Sequence, residues 1–199
     1  MSDNPLPDWP MAEYFHATPA HLHAFGAITL DYNEIERAFG SLFKSLTPLD
    51  GNIGEAIYSR LTNKERADVM RLVTLRYAAD QDLADAINHA ILCFNICTEN
   101  RNILMHLVHD RIDEQLNIHA SKKSSAHKDA FYEISLTKLR QIAEDMHATL
   151  TYVVDLLMFV VRRLGDPDGE NLDFLGPNTL PKRPAQPSTL IPLQLPKGD

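Results

Sequence analysis

Glycine, cysteine and positive charge are all scarce in this 199-residue chain, and each shortage excludes a class of protein. Its 8 glycines form no glycine-rich loop, which removes the nucleotide folds that cradle phosphate with backbone amides. The two cysteines, Cys93 and Cys97, are too few for a disulfide framework. Four residues apart in an apolar helical run, they share one helix face and act as small buried hydrophobes, which suits a reducing cytoplasm. With 19 Lys and Arg against 27 Asp and Glu, the formal net charge of -8 argues against a general nucleic-acid coat protein, because binding phosphate without sequence preference needs a broad cationic excess. A local basic patch is still compatible with that charge. No apolar run approaches a membrane span: the longest, Val153 to Val161, is short and contains Asp155. The first ten residues are acidic and proline-rich, without the basic segment and apolar core of a secretory signal. A soluble, cytoplasmic protein with no membrane partner is expected.

What is present is helical periodicity. At 44% hydrophobic, the chain can fill one core, whereas two separate cores would each be small. From His21 to Leu46 the residues Leu22, Phe25, Ile28, Tyr32, Ile35, Phe39, Leu42 and Leu46 recur at steps of three and four, the pattern of an amphipathic helix with one buried stripe. Pro48 and Asp50-Gly51-Asn52 end it. A short helix over Ile53 to Leu61 follows, and then a helix capped by Thr62 and running to about Tyr77, with Val69, Leu72, Val73 and Arg76 on one face and Leu75 beside it. A central helix begins at Asp80 or Asp82 and continues to about His109, with Leu83, Ile87, Ala90, Ile91, Phe94 and Cys97 or Thr98 turned inward. The final helix, Thr137 to Arg163, carries Leu139, Ile142, Met146, Leu150, Val153 and Leu157 at helical spacing and closes at Gly165.

Between the last two helices the period changes. Leu116, Ile118 and Ala120 alternate with polar residues, and Phe131, Tyr132, Ile134 and Leu136 follow a basic loop, so a small β-hairpin is expected at about 114–135. The fold class is therefore all-α: an up-and-down bundle of four to five helices over residues 21–164 with a hairpin insertion. An arm over residues 1–20, held by Trp9, Tyr14 and Phe15, precedes it. A proline-rich tail over 165–199 follows; its seven prolines exclude regular helix and favour extended, polyproline-like chain. Leu190, Ile191, Leu193 and Leu195 make that tail adhesive, and it should pack on its own body or on a second subunit.

One stretch interrupts the apolar pattern of the central helix: Arg101-Asn102-Ile103-Leu104-Met105-His106. In a helix, Asn102 and His106 lie about 40° apart in projection, while Arg101 and His106 differ by about 140° and can share a groove only because the arginine side chain is long. Arginine grips phosphate with a bidentate fork, and imidazole gives or takes a proton near neutral pH, so the pair suits phosphodiester chemistry. This stretch, near the end of the penultimate helix of an all-helical bundle, resembles the arginine-polar-x-x-x-histidine motif of the HEPN superfamily. The resemblance implies a homodimeric helical bundle whose two motifs face each other across a cleft. In active members it implies metal-independent cleavage of RNA that leaves a cyclic phosphate, in settings that include defence and toxin systems. It assigns the essential pair to Arg101 and His106, with Asn102 as orienting group, and requires no cofactor and no metal. Lys122, Lys123 and Lys128 in the hairpin loop would then attract RNA phosphates locally.

The alternative is a noncatalytic helical interaction or regulatory module that holds a protein partner. In that case Arg101 would pair with Glu99, Asp31 or Glu34, and His106 would satisfy a carbonyl. Other chemistries are less well supplied. His109-Asp110 with His89 and Asp155 has the residue types of a metal-dependent phosphohydrolase, but a continuous helix would hold His89 about 30 Å from His109. Glu144 and His147 make only one half of a di-iron bundle site. His21 and His23 read as an exposed pair before the first helix.

Overall fold

Thr18 starts the first helix of the bundle. The structure, a computed structural model, describes residues 18–47, 49–77, 80–106, 108–113, 117–122, 130–165 and 179–193. Helix α1 spans Pro19–Leu46, with Pro19 at a position where its missing N–H costs nothing and a capping box between Thr18 and His21. The helix thus begins two residues before the sequence pattern places it, and Pro19 is its start rather than part of an irregular arm. His21 is fully buried, its Nδ1 2.7 Å from Thr18 Oγ1, so it does not form an exposed pair with His23.

Helix α2 (Gly51–Tyr58) and helix α3 (Asn63–Thr74) follow, α3 opened by a second capping box between Thr62 and Glu65 and extended by a 3-10 turn, Leu75–Tyr77. The α3 stripe is rotated from the expected one. Ala67, Met70 and Thr74 face the core and Val69 and Val73 flank them, while Leu72 and Leu75 point outward. Periodicity fixed the helix but not its face, because apolar residues lie on both sides of the true stripe.

Helix α4 (Gln81–His106) and helix α5 (Leu136–Gly165) complete the bundle. Their directions follow from cross-contacts. Tyr32 meets Thr98, Phe39 stacks on Phe94 at 4.2 Å between ring centroids, and Leu46 and Leu83 line one recess, so α4 runs antiparallel to α1. Asp31 pairs with His147, and Leu46 shares that recess with Val160, so α5 runs parallel to α1. Asn63 and Arg66 bond to Tyr32 and Glu36, and Tyr77 to Leu46, which sets α3 parallel to α1 as well. The short α2 returns alongside α1, with Lys44 on Glu55 and Tyr58 on the Glu36 carbonyl. The chain is thus an up-and-down bundle, with its most extensive helix contact between α1 and α5.

The insertion is larger than a hairpin. Strands β1 (Val108–Ile112), β2 (Asn117–Lys122) and β3 (Ala130–Ser135) form an antiparallel sheet in that order. Helix α4 accordingly ends at His106 rather than near His109, because β1 pairs with β2 from Val108 onward. Ile118, Tyr132 and Ile134 turn one face of the sheet onto the core. No helix among the described residues is long and apolar enough to cross a membrane.

Gly40 marks the tightest packing in α1. A Cβ there would lie 2.8 Å from Tyr58 Cε1, and that ring is held by its hydroxyl on the Glu36 carbonyl and by the Arg66 guanidinium 4.3 Å from its centroid. A Cβ at Gly26 meets nothing within 4 Å. Gly26→Ala should therefore stabilise by roughly 0.5–1 kcal/mol through helix propensity, whereas Gly40→Ala should destabilise by about 1–2 kcal/mol because the clash exceeds that gain. Urea unfolding of the two variants checks the opposite signs.

Candidate functional site

Helix α4 is surrounded by α1, α3, α5 and the tail, so apolar residues occupy most of its circumference. Leu83, Ile87, Ala90, Ile91, Phe94 and Cys97 are buried as the stripe requires, and so are Ala86 and Cys93. Near its C-terminal end Ile103 and Leu104 are buried and hold the motif against the core, while Met105 and His106 are exposed. Arg101 and Asn102 are half-buried between these two sets.

Arg101 lies over the Tyr32 ring, its Cζ 5.5 Å from the ring centroid, and its Nη1 donates to Asn102 Oδ1 at 3.2 Å. Its Nε is buried and has no hydrogen-bond partner among the described residues. Asp31 lies 3.3 Å from His147, Glu34 pairs with Arg37 at 2.6 Å and Glu36 with Arg66 at 2.5 Å, while Glu99 is exposed to solvent. No carboxylate pairs with Arg101 among the described residues. The platform beneath it is rigid. Asn63 Nδ2 donates to the Tyr32 hydroxyl at 2.6 Å, and that hydroxyl also shares a hydrogen bond with Thr98 Oγ1 at 3.1 Å. Burial raises the Tyr32 pKa; Arg101 and the bond to Thr98 act in the opposite direction.

Arg101, Asn102 and His106 are thus brought to the end of one helix, but no hydrogen bond joins His106 to the other two among the described residues. Asn102 orients the guanidinium rather than the imidazole. Of the three lysines, Lys122 pairs with Ala130 through the β2–β3 ladder, and Lys123 and Lys128 lie outside the described residues. No family model matches this chain, and no curated protein or solved structure is significantly similar to it.

The other candidates are placed apart. His89 sits in the middle of α4, its ring edge-on to Tyr152, its Nε2 3.4 Å from Cys93 Sγ, and bonded to the Pro184 carbonyl. Burial lowers its pKa against that carbonyl's pull. His109 and Asp110 are on β1, beyond the end of α4, with side chains outside the described set. Glu144 lines an open groove with Arg140 and His23. Among the described residues no three His, Cys, Asp or Glu are grouped to hold a metal ion.

The residue that sequence reading missed is Asn100. It is only 1% exposed, yet its amide faces no other helix: Nδ2 donates to the Ser188 carbonyl at 2.7 Å and Oδ1 accepts from the Leu190 N–H at 3.0 Å. Asp145 on α5 accepts from the Ser188 N–H at 2.7 Å. The segment 179–193 is therefore packed on its own body between α4 and α5, anchored by Leu190 alone of the residues expected to make it adhesive, since Ile191 and Leu193 are exposed and Leu195 lies outside the described residues. A polar residue interrupting an apolar helix was the available signal, but its partner stands 88 residues away in sequence.

Proposed function

We propose that the end of α4 is an RNA phosphodiester site of HEPN type, and that the protein is an RNA-binding protein with metal-independent endoribonuclease activity. One observation carries this reading: a half-buried guanidinium with no carboxylate partner among the described residues and a buried Nε with no hydrogen-bond partner among them, on the same helix as an exposed histidine five residues further on. An uncompensated buried donor is costly, and an anion supplied by a ligand removes that cost.

In this mechanism Arg101 holds the phosphate oxygens and stabilises the charge that grows on them as the 2′-hydroxyl attacks phosphorus. The P–O5′ bond breaks, leaving a 2′,3′-cyclic phosphate and a free 5′-hydroxyl. His106 takes the 2′-hydroxyl proton or donates one to the departing 5′-oxygen. A homodimer with two motifs facing one cleft supplies both transfers. Asn102 keeps the guanidinium fork in register, and Lys122, Lys123 and Lys128 draw the strand toward an otherwise acidic protein.

Purified protein incubated with mixed RNA in EDTA should generate cyclic-phosphate ends, and His106→Ala should slow this by about 10²–10⁴-fold. Equal cleavage by both proteins removes His106 from the mechanism. The second reading, a noncatalytic module that holds a peptide, is favoured by a different observation, the extended segment clamped by Asn100 and Asp145.

A further inference from the structure

The segment between Pro181 and Leu190 shows a period of three. Pro187 and Leu190 are buried and Pro181 and Pro184 half-buried, whereas Lys182, Arg183, Ala185, Gln186 and Thr189 are exposed. A left-handed polyproline helix turns once every three residues, so a Pro-x-x-Pro-x-x-Pro-x-x-Leu sequence puts its four anchors on one side. The channel that receives it grips the backbone. Asn100 bonds to the carbonyl of Ser188 and the N–H of Leu190, Asp145 takes the N–H of Ser188, and the His89 ring meets the carbonyl of Pro184. One charge contact fixes direction, Arg183 to Asp85 at 3.7 Å. Lengths also agree: Arg183 to Leu190 extends about 22 Å at the polyproline rise, and Asp85 to Asn100 covers about 22 Å of helix. Beyond the anchors, Leu193 N–H bonds to the Phe131 carbonyl on β3, the start of a strand addition.

We propose that the channel between α4 and α5 is a receptor for a polyproline peptide, and that its occupant in trans is the Pro181–Leu190 segment of a second copy of this chain. The segment carries its own anchors and direction, and the clamps read backbone, so a copy from a second chain meets the same contacts. The 13 residues 166–178 tether it to α5, and tethering favours the channel of the same chain through effective concentration. Whatever weakens the tethered segment opens the channel to another. Polyproline ligands suit this exchange because they are already extended and lose little entropy on docking. The proposal stands apart from the RNA reading, since neither Arg101 nor His106 takes part.

The test uses the full chain and a fluorescein-labelled peptide of residues 179–193, with binding read by anisotropy. Leu190→Asp in the protein removes the main tethered anchor and should bind the peptide at least about tenfold more tightly than wild type. Arg183→Glu in the protein, an exposed change that leaves the core intact, should shift binding in the same direction by less. Adding Asn100→Ala to the Leu190→Asp chain, or placing Leu190→Asp in the peptide instead, should abolish binding. No binding to either opened chain with its helical circular dichroism intact, or undiminished binding of the altered peptide, overturns the receptor. Mixing the Leu190→Asp chain with an Asn100→Ala chain pairs an intact channel with an intact segment. Light scattering should show a complex that neither variant forms alone, and a mixture equal to the sum of its parts overturns the second-copy assignment.

Discussion

Replacing Arg101 with alanine should lower RNA cleavage by about 10²–10³-fold, the usual cost of losing a group that stabilises transition-state charge, while changing folding stability by less than about 1 kcal/mol. The two halves of this expectation come from the same geometry. The side chain has no ion pair among the described residues; what it offers the fold is a contact with the Tyr32 face at 5.5 Å and one bond to Asn102. Such a cation–π contact is worth about 0.5–1 kcal/mol, and truncation also removes the buried Nε that lacks a partner. Arg101→Lys should fail to restore cleavage, since a point charge cannot replace the planar fork. Arg66 supplies the contrast. It bonds to Glu36, Asn63 and the Tyr58 carbonyl and stacks on the Tyr58 ring. Arg66→Ala should destabilise by about 2–4 kcal/mol, because Glu36 and the carbonyl lose their donor, and should leave the rate of the folded protein unchanged. Paired cleavage and thermal-unfolding measurements separate the two arginines. A destabilised Arg101→Ala chain that cleaves normally would make Arg101 a structural residue.

The bundle was legible because helical periodicity is a local property. The α1 stripe from Ile28 to Leu46 and the inward set of α4 from Leu83 to Cys97 are buried as their spacing requires. Leu22 is the exception at the edge of the stripe, 38% exposed near the helix start. Where sequence reading failed, the deciding contact was remote. Nothing near Val108 announces that the chain leaves α4 to pair with β2, since the partner residues begin at Ile118. The α3 face was misread because Leu72 is as hydrophobic as Met70, and only the position of α4 chooses between them. At the site, the unusual composition of Arg101 to His106 was visible, but the contacts of Asp31 with His147 and of Glu34 with Arg37 were not. The role of Asn100 was hidden for the same reason: a polar residue in an apolar helix was visible, but its partners appear only once residues 188 and 190 return to it.

Alkaline pH should unfold this protein more readily than its acidic composition implies. Burial pushes the Cys93 thiol up to about 11 and the Cys97 thiol up to about 12, the latter raised further by the nearby Cys93 and Asp145 against a weak bond to Thr149. In the unfolded chain both thiols ionise near their ordinary value of about 8.5. Between that value and the folded ones the unfolded state binds fewer protons, so stability falls as pH rises, by about 1.4 kcal/mol per pH unit for each thiol. From pH 8 to pH 10.5 the two together remove about 4–5 kcal/mol, a large share of the 5–15 kcal/mol typical of a domain. Tyr152, pushed up to about 12 by burial, and Tyr58, raised for the same reason, add losses of the same sign above about pH 10. Urea unfolding across this range should show the slope. A Cys93→Ala, Cys97→Ala chain should be nearly flat from pH 8 to pH 10, then fall as the tyrosines begin to titrate; an unchanged slope in that chain would place the loss elsewhere. Both thiols sit on α4, which carries Asn100 beneath the docked C-terminal segment and Arg101 at the proposed phosphate site. The same titration should therefore weaken the docked segment and any cleavage over one pH interval, through a shared helix, although the two use no common side chain.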